Sequence, residues 1–274
     1  MSTAPTDVAT PDAHALADRH EAAVALAREA GRTTLERFQA RELAVERKRD
    51  GTVVTEADRD AEAFLRERLA NLFPDDGVLG EEHGERPGTS GWRWVLDPID
   101  GTVSFVHGVP LYGTLVAVEW RGTPHVGVIE MPALGERVHA ATGRGAVHAV
   151  DGRPEVPARV SDVAAADEGL VCITGLEYFR REEATRGLPT RLADAFRLVR
   201  GWSDCYAHLL VATGRVDVVV EPTMALWDVA PMVPIMAEAG GRCTAWDGGR
   251  AGHDRPCVSS NGRLHAATLD LLRG

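Results

Sequence analysis

The stretch WRWVLDPIDGTVSF, residues 92–105, runs an apolar strand into one carboxylate, Asp97, and sets a second, Asp100, three positions further on with Gly101 and Thr102 behind it. Aspartate, proline and glycine commonly end strands in turns, so a turn is the plain reading. Two carboxylates this close beside an apolar strand repel each other unless something positive sits between them. The fold therefore has to bring a counter-charge to this strand end.

The rest of the composition narrows what that counter-charge is. A formal charge of -11 argues against phosphate-backbone binding, because nucleic-acid binders present a basic face. An acidic surplus suits cations. The 274 residues allow one large domain or two closely packed ones with a sizeable core. Cys172, Cys205, Cys243 and Cys257 have no CxxC spacing, so neither a zinc site nor a disulfide framework is signalled, and a reduced cytoplasm is expected. The opening MSTAPTDVATPD lacks the basic start and apolar core of a secretory signal, and no run approaches a membrane span. Residues 1–12 read as a disordered tail.

Apolar residues at helical spacing from Ala13 to Gln39 predict a long amphipathic helix despite Gly31. A short strand at Leu43–Val45, a turn at Asp50 and Gly51, and a helix from Ala57 to Leu72 should follow. Thr55 serves as cap and Asp58 lies in the first turn. Residues 112–150 contain β-rich runs split by RG, ALGE and TGRG, the pattern of antiparallel hairpins. Beyond 150, VCITG, a helix over Glu177–Asp194, a helix over Asp204–Thr213, VDVVVE, a helix from Val229 and CVSSN alternate strand with helix. An α+β half (13–150) followed by an α/β half (151–274) is the expected organisation, closely packed as one functional unit.

Acidic clusters stand at three predicted element ends: GEEHG at 80–84, DPIDGT at 97–102 and WDVAP at 227–231. Side chains at element ends converge on clefts. Each cluster alone has a dull explanation: GEE as a solvated loop, Asp228 as a helix N-cap, DxxD as a turn.

Taken together, VTEAD, GEE, DPIDGT and WDVAP followed by EAGG, in this order from about Ala13 to Leu272, resemble the inositol monophosphatase family of magnesium-dependent phosphomonoesterases. The resemblance implies a layered α/β/α/β sandwich, a homodimer, and a site with two or three magnesium ions, for which manganese can substitute and which lithium inhibits. It gives Glu81, Asp97 and the Ile99 carbonyl as ligands of one ion, and Asp97, Asp100 and Asp228 as ligands of a second. Magnesium is hard and takes oxygen ligands at about 2.0–2.1 Å, which such a set supplies. Two ions roughly 3.5–4 Å apart stabilise both attacking and leaving oxygens of an in-line displacement. Pro98 would fix the chain so that these groups share one site.

By the same resemblance, the bare amide of Gly101 and that of Thr102 bind phosphate oxygens, and the Thr102 hydroxyl with Glu81 orients the attacking water without a covalent phosphoenzyme. Asp58 and Lys48 stand behind the ligands, Lys48 being otherwise an ordinary solvated lysine. The helix start at Asp228 would favour phosphate charge. Val103 departs from the threonine or lysine usual after DGT, and Pro231 from the alanine or glycine usual after WDVA. Pro231 is expected in a first helical turn, where no internal hydrogen bond is lost.

RGWSDCYAHLLVATGRVDVVVEPTMALWD (200–228) resembles the histidinol-phosphate phosphatase branch more than the inositol branch, chiefly through Asp204. Glu221 is a second candidate for the substrate. Two carboxylates by the leaving-group pocket favour an ammonium, which histidinol carries and inositol lacks. An N-cap is the plain reading of Asp204, and core packing that of Trp202 and Trp227, with His107 unassigned. The alternatives are an inositol or other sugar-phosphate phosphatase, and an idle metal-binding or RNA-associated regulator, against which the uncompensated carboxylates speak.

Overall fold

The computed structural model describes residues 10–40, 45–47, 53–202 and 204–273. Helix α1 (Ala13–Arg37) starts where the Asp12 carboxylate accepts the amides of His14 and Ala15 at 3.1 and 2.9 Å. Strands β1 (Val45–Arg47) and β2 (Val53–Thr55) form an antiparallel ribbon, and Val45 of the strand expected at 43–45 belongs to it. Residues 1–9, 43–44, Lys48 and the expected turn at Asp50 and Gly51 lie outside the described residues. Helix α2 (Glu56–Leu72) opens on a capping box in which Thr55 and Asp58 satisfy each other's end of the first turn.

One sheet takes up the next stretch: β3 (Gly77–Gly80), β4 (Gly84–Arg86), β5 (Trp92–Asp100), then the short helix α3 (Thr102–Val106), then β6 (Gly113–Trp120), β7 (Thr123–Met131), β8 (Glu136–Ala141), β9 (Ala146–Val150) and β10 (Val156–Pro157). Its order is β10-β9-β8-β7-β6-β5-β3-β4, antiparallel except where β3 runs parallel to β5.

The second sheet is built from β11 (Leu170–Ile173), α4 (Leu176–Phe179), α5 (Leu188–Ala195), β12 (Leu198–Arg200), α6 (Asp204–Ala212), β13 (Val218–Met224), α7 (Leu226–Val229), α8 (Met232–Glu238), β14 (Arg242–Ala245), β15 (Arg255–Ser260) and α9 (His265–Arg273). The strand order is β12-β11-β13-β15-β14. The single helix expected over Glu177–Asp194 is instead α4 and α5, because turns fill the stretch between them and Pro189 starts a new helix behind Gly187. The helix expected from Val229 is likewise split. Pro231 stands at the N-cap of α8, where α7 has just ended, and not inside a first turn. Strand β14 and helix α9 had no separate expectation.

Alternate residues of each strand serve opposite layers. On the outer face of the first sheet, Leu26, Ala27, Leu65 and Leu69 of α1 and α2 pack on Trp94, Leu96, Val116 and Val118. On its inner face, Leu115, Ile129 and Val138 meet Leu209 of α6 and Met232, Ile235 and Met236 of α8, which also cover Cys172 and Val219 of the second sheet. That gives the α/β/α/β layering. Phe179, Leu188, Leu192, Leu269 and Leu272 then close the far face over Val171, Val218 and Val258. Each such side chain contributes about 1.5–3 kcal/mol on burial, so the strand ends bearing carboxylates are held by both sheets.

Candidate functional site

The parallel pairing of β3 and β5 puts Gly80 opposite Leu96, and the Glu81 amide donates to the Leu96 carbonyl at 3.3 Å. Glu81 and Asp97 therefore leave adjacent strands side by side. Next, β5 bulges against β6: three steps from Asp97 to Asp100 match two from Leu115 to Gly113. Pro98 has no amide to lose there, and its carbonyl accepts the Thr114 hydroxyl at 2.8 Å. The Ile99 amide donates to Asp97 Oδ1 at 3.0 Å. The bulge thereby turns Asp97 and Asp100 to the same side.

Asp228 reaches this strand end from the other half of the chain. It is the third residue of α7, not its N-cap, and its Oδ2 accepts the Ala225 amide at 3.0 Å. Carboxylate oxygens of Asp97, Asp100 and Asp228 all lie within 4.8 Å of one another. Asp100 Oδ2 accepts the Cys205 amide, at 2.5 Å, from the first turn of α6. Among the described residues no lysine or arginine bonds to any of the three.

Burial, followed by the charges of Glu81, Asp100 and Asp228, pushes the Asp97 carboxyl well above its ordinary value. Burial, then Asp204 and Asp228, does the same to Asp100. Asp228 is pushed up to about 7, first by burial and then by Glu81 and Asp204. Glu81 thus stands beside the trio rather than within it, close enough for its charge to be felt. The group is an all-oxygen, partly buried donor set with no cation bonded to it among the described residues, the chemistry that fits a hard divalent ion.

Asp58 lies behind it, buried. Its Oδ2 accepts the amide and hydroxyl of Thr55 at 2.8 and 2.6 Å, leaving Oδ1 3.5 Å from the Thr102 hydroxyl. Burial lifts the Asp58 carboxyl to about 6. Thr102 donates at 3.0 Å to the Ile99 carbonyl, the oxygen expected to face a metal, which retains a second lone pair. Gly101 has φ +81, and a Cβ there would lie 3.1 Å from the Leu111 carbonyl and 3.2 Å from Asp204 Oδ2. Only glycine fits without strain.

Asp204 opens α6 with φ +57. Glu221 is buried on β13 beside a bulge, and its Oε1 has no hydrogen-bond partner among the described residues. Burial, then Asp204, Asp100 and Asp228, drives its carboxyl well up, offset in part by a hydrogen bond to Thr174. Both candidate substrate carboxylates therefore border the trio. His107 and Trp202 do not join it: His107 Nδ1 turns back to the Val103 carbonyl at 2.8 Å, and Trp202 is exposed. Trp227 packs against the His253 ring with centroids 5.9 Å apart.

The pattern of the inositol monophosphatase family matches residues 16–273. The chain belongs to the inositol monophosphatase family. A histidinol-phosphatase of Chlorobaculum parvum is 47% identical over 82% of this chain and 85% of its own length. One of Mycobacterium tuberculosis is 41% identical over 91% of this chain and 96% of its own. Among solved structures, a Thermotoga maritima IMPase superposes with TM-score 0.83 at 29% identity, covering 93% of this chain and 97% of that one. The sandwich anticipated from the motifs is thus the fold of the family.

One residue of the site escaped the sequence reading. Glu62, fully buried one turn beyond Asp58 on α2, accepts the amides of Glu82 and His83 at 2.7 and 3.1 Å and pairs with Arg66 at 2.7 Å. A side chain on Gly80 would collide with it. Its spacing of four from Asp58 on one helix face was the available signal.

Proposed function

We propose that this protein is a magnesium-dependent phosphomonoesterase that hydrolyses histidinol phosphate to histidinol and phosphate. The observation that carries the phosphatase reading is the trio of buried Asp97 and half-buried Asp100 and Asp228, gathered within 4.8 Å with no lysine or arginine bonded to it among the described residues. The substrate reading draws on the two relatives named for that activity and on the paired carboxylates Asp204 and Glu221.

In this reading Glu81, Asp97, the Ile99 carbonyl, Asp100 and Asp228 hold the ions, manganese being an acceptable substitute for magnesium. Bound divalent ions would neutralise the carboxylates, polarise the phosphoryl group and make water a better nucleophile at neutral pH. The chain's own groups do the rest. The Thr102 hydroxyl, fixed by Ile99 and facing Asp58, orients the attacking water together with Glu81. The Gly101 and Thr102 amides, at the left-handed turn into α3, donate to phosphate oxygens. Asp58, held by Thr55, accepts the Thr102 proton when that hydroxyl turns from the Ile99 carbonyl. Lys48 is assigned a charge-balancing place behind the ligands on sequence grounds alone.

Asp204 and Glu221 recognise the leaving group. A buried carboxylate oxygen on Glu221 with no partner among the described residues suits an incoming ammonium, whose charge would draw that carboxyl back to its ionised form. Residues 13–150 and 151–274 act as one unit, since Asp100 of the first is held by Cys205 of the second. A homodimer, lithium sensitivity, a role in histidine biosynthesis and a reducing cytoplasmic setting belong to the same proposal. The four free thiols are compatible with that setting. No helix among the described residues is long and apolar enough to cross a membrane.

A phosphate-release panel of about ten esters, run with magnesium and with a chelator, tests the reading, since a site that binds a substrate cation rejects analogues lacking it. Histidinol phosphate should lead and need the metal. Equal or better turnover of inositol 1-phosphate or another sugar phosphate would reassign the substrate. No release from any ester would leave the metal-binding regulator.

A further inference from the structure

Two thiols outside the acidic site lie in contact on adjacent strands. Cys243 on β14 and Cys257 on β15 have their Sγ atoms 3.4 Å apart. The register pairs Cys243 with Ser259 and Ala245 with Cys257, so both thiols and the Ser259 hydroxyl share one face of the sheet. Cys257 is buried and Cys243 only half-buried. Of the two residues Cys243 is the more exposed, with a second thiol directly behind it.

The same face leads into the site. Cys257 stands opposite Glu221 in the pairing of β13 with β15, two strands whose register slips between Glu221 and Met224. Ser259, opposite Cys243, is 2.9 Å from Nδ1 of buried His208. His208 lies on α6, whose first turn supplies Asp204 and the Cys205 amide that holds Asp100. The thiol pair therefore touches both strands of the Glu221 pairing and, through one hydrogen bond, the helix that borders the carboxylate trio.

We propose that Cys243 and Cys257 form an oxidation site, in which a hydroperoxide converts the pair to a disulfide that displaces β15 against Glu221 and weakens substrate binding. The Cys243 sulfur attacks one peroxide oxygen: an S–O bond forms, the O–O bond breaks, and the departing alkoxide or hydroxide takes up a proton. The Cys257 sulfur then attacks the sulfenic sulfur. An S–S bond forms, the S–O bond breaks, and hydroxide leaves with the Cys257 proton as water. Two thiols have lost two hydrogens and the hydroperoxide has become an alcohol, or water, plus water. A hydrogen bond from Cys257 holds the Cys243 thiol below its ordinary pKa, which favours it as the first nucleophile.

A disulfide spans about 2.05 Å between sulfurs, so the pair must close by roughly 1.3 Å from its present 3.4 Å. The bulge at Glu221 is where the ladder yields most easily. The KM consequence rests on the reading of Glu221 as a substrate contact. The cross-link and the strand displacement do not.

The test treats the full-length protein with hydrogen peroxide, maps peptides without reduction, and follows hydrogen exchange of residues 218–224 and phosphate release. The expected result is a Cys243–Cys257 cross-link, faster exchange in 218–224, and a KM for histidinol phosphate raised about fivefold with a smaller change in kcat, as fits a displaced contact. Dithiothreitol should reverse all three, and Cys243→Ser and Cys257→Ser should show none of them. Cys243→Ser, at the half-buried position, is the variant expected to fold without difficulty. The proposal is overturned if the two peptides stay unlinked, or if they link while exchange and KM are unchanged. Failure to hydrolyse any ester would sink the substrate reading alone, because cross-link and exchange still decide the oxidation site.

Discussion

The Glu62 carboxylate accepts the backbone amide of Glu82 at 2.7 Å, and through that bond α2 holds the loop that presents Glu81. Glu62 is not one of the three carboxylates gathered within 4.8 Å of one another. Its role is to fix the chain on either side of His83 and Glu82 while Arg66 balances its charge. Replacing Glu62 with Gln keeps the volume but turns an amide N–H₂ toward one backbone donor. We expect the magnesium concentration for half-maximal activity to rise by about tenfold or more, as for other residues that orient metal ligands. A metal titration of turnover, with circular dichroism to verify the fold, measures it.

Asp97→Asn removes the carboxylate common to both expected metal positions. Metal-dependent turnover should fall below detection while the fold stays intact. The metal-free variant should also be more stable than the metal-free parent, because the buried member of three mutually repelling carboxylates is gone. Thermal unfolding in a chelator reads this directly; a lower Tm for the variant would contradict it.

Burial of these carboxylates, reinforced by neighbouring charge, predicts a pH dependence. Asp58 and Asp228 have folded-state values of about 6 and about 7 against 3.8 for an unperturbed carboxyl. Groups raised on folding bind protons that the unfolded chain releases, so their contribution is fully present below pH 4 and is lost as pH rises toward 7. In chelator, Tm should therefore decline between about pH 4 and pH 7 from these groups. Saturating magnesium should flatten that decline.

Asp204→Ala should spare hydrolysis of uncharged phosphate esters while raising KM for histidinol phosphate. Loss of one partner of a buried charge pair costs roughly 2–5 kcal/mol, so a rise of about 30-fold or more is expected. Steady-state kinetics on histidinol phosphate and a neutral ester side by side measure it. A parallel loss on both would make Asp204 part of the general machinery.

Thr102→Val removes the hydroxyl that bridges Ile99 and Asp58 without altering β-branching. kcat should drop by about 10² or more, the scale of a lost proton-handling group, with manganese affinity little changed. Single-turnover kinetics and calorimetric metal titration separate the two effects.

Local chemistry made much of this legible. The capping box at Thr55 and Asp58 is written within four residues, and the bulge at Asp97–Asp100 within six. The cap at Thr55 showed in the sequence because neighbouring residues decide it, whereas the bulge at Asp97–Asp100 read there only as a turn. Cys205, 105 residues from Asp100, supplies its bond through a backbone amide, and no side-chain pattern announces that. Helix boundaries failed where prolines restart a helix after a break, at Pro189 and Pro231, because a charged stretch reads as one helix whether or not a turn interrupts it. Glu62 was visible only as a spacing of four on α2, indistinguishable from a surface acid until its burial is known.

The most direct test of the central claim, that the carboxylate trio is a divalent-metal site, is anomalous diffraction from a crystal soaked in manganese. The account predicts ion density between Asp97, Asp100 and Asp228, with a second peak shared by Asp97 and Glu81. Absence of density, with these side chains turned out to bulk water, would contradict it.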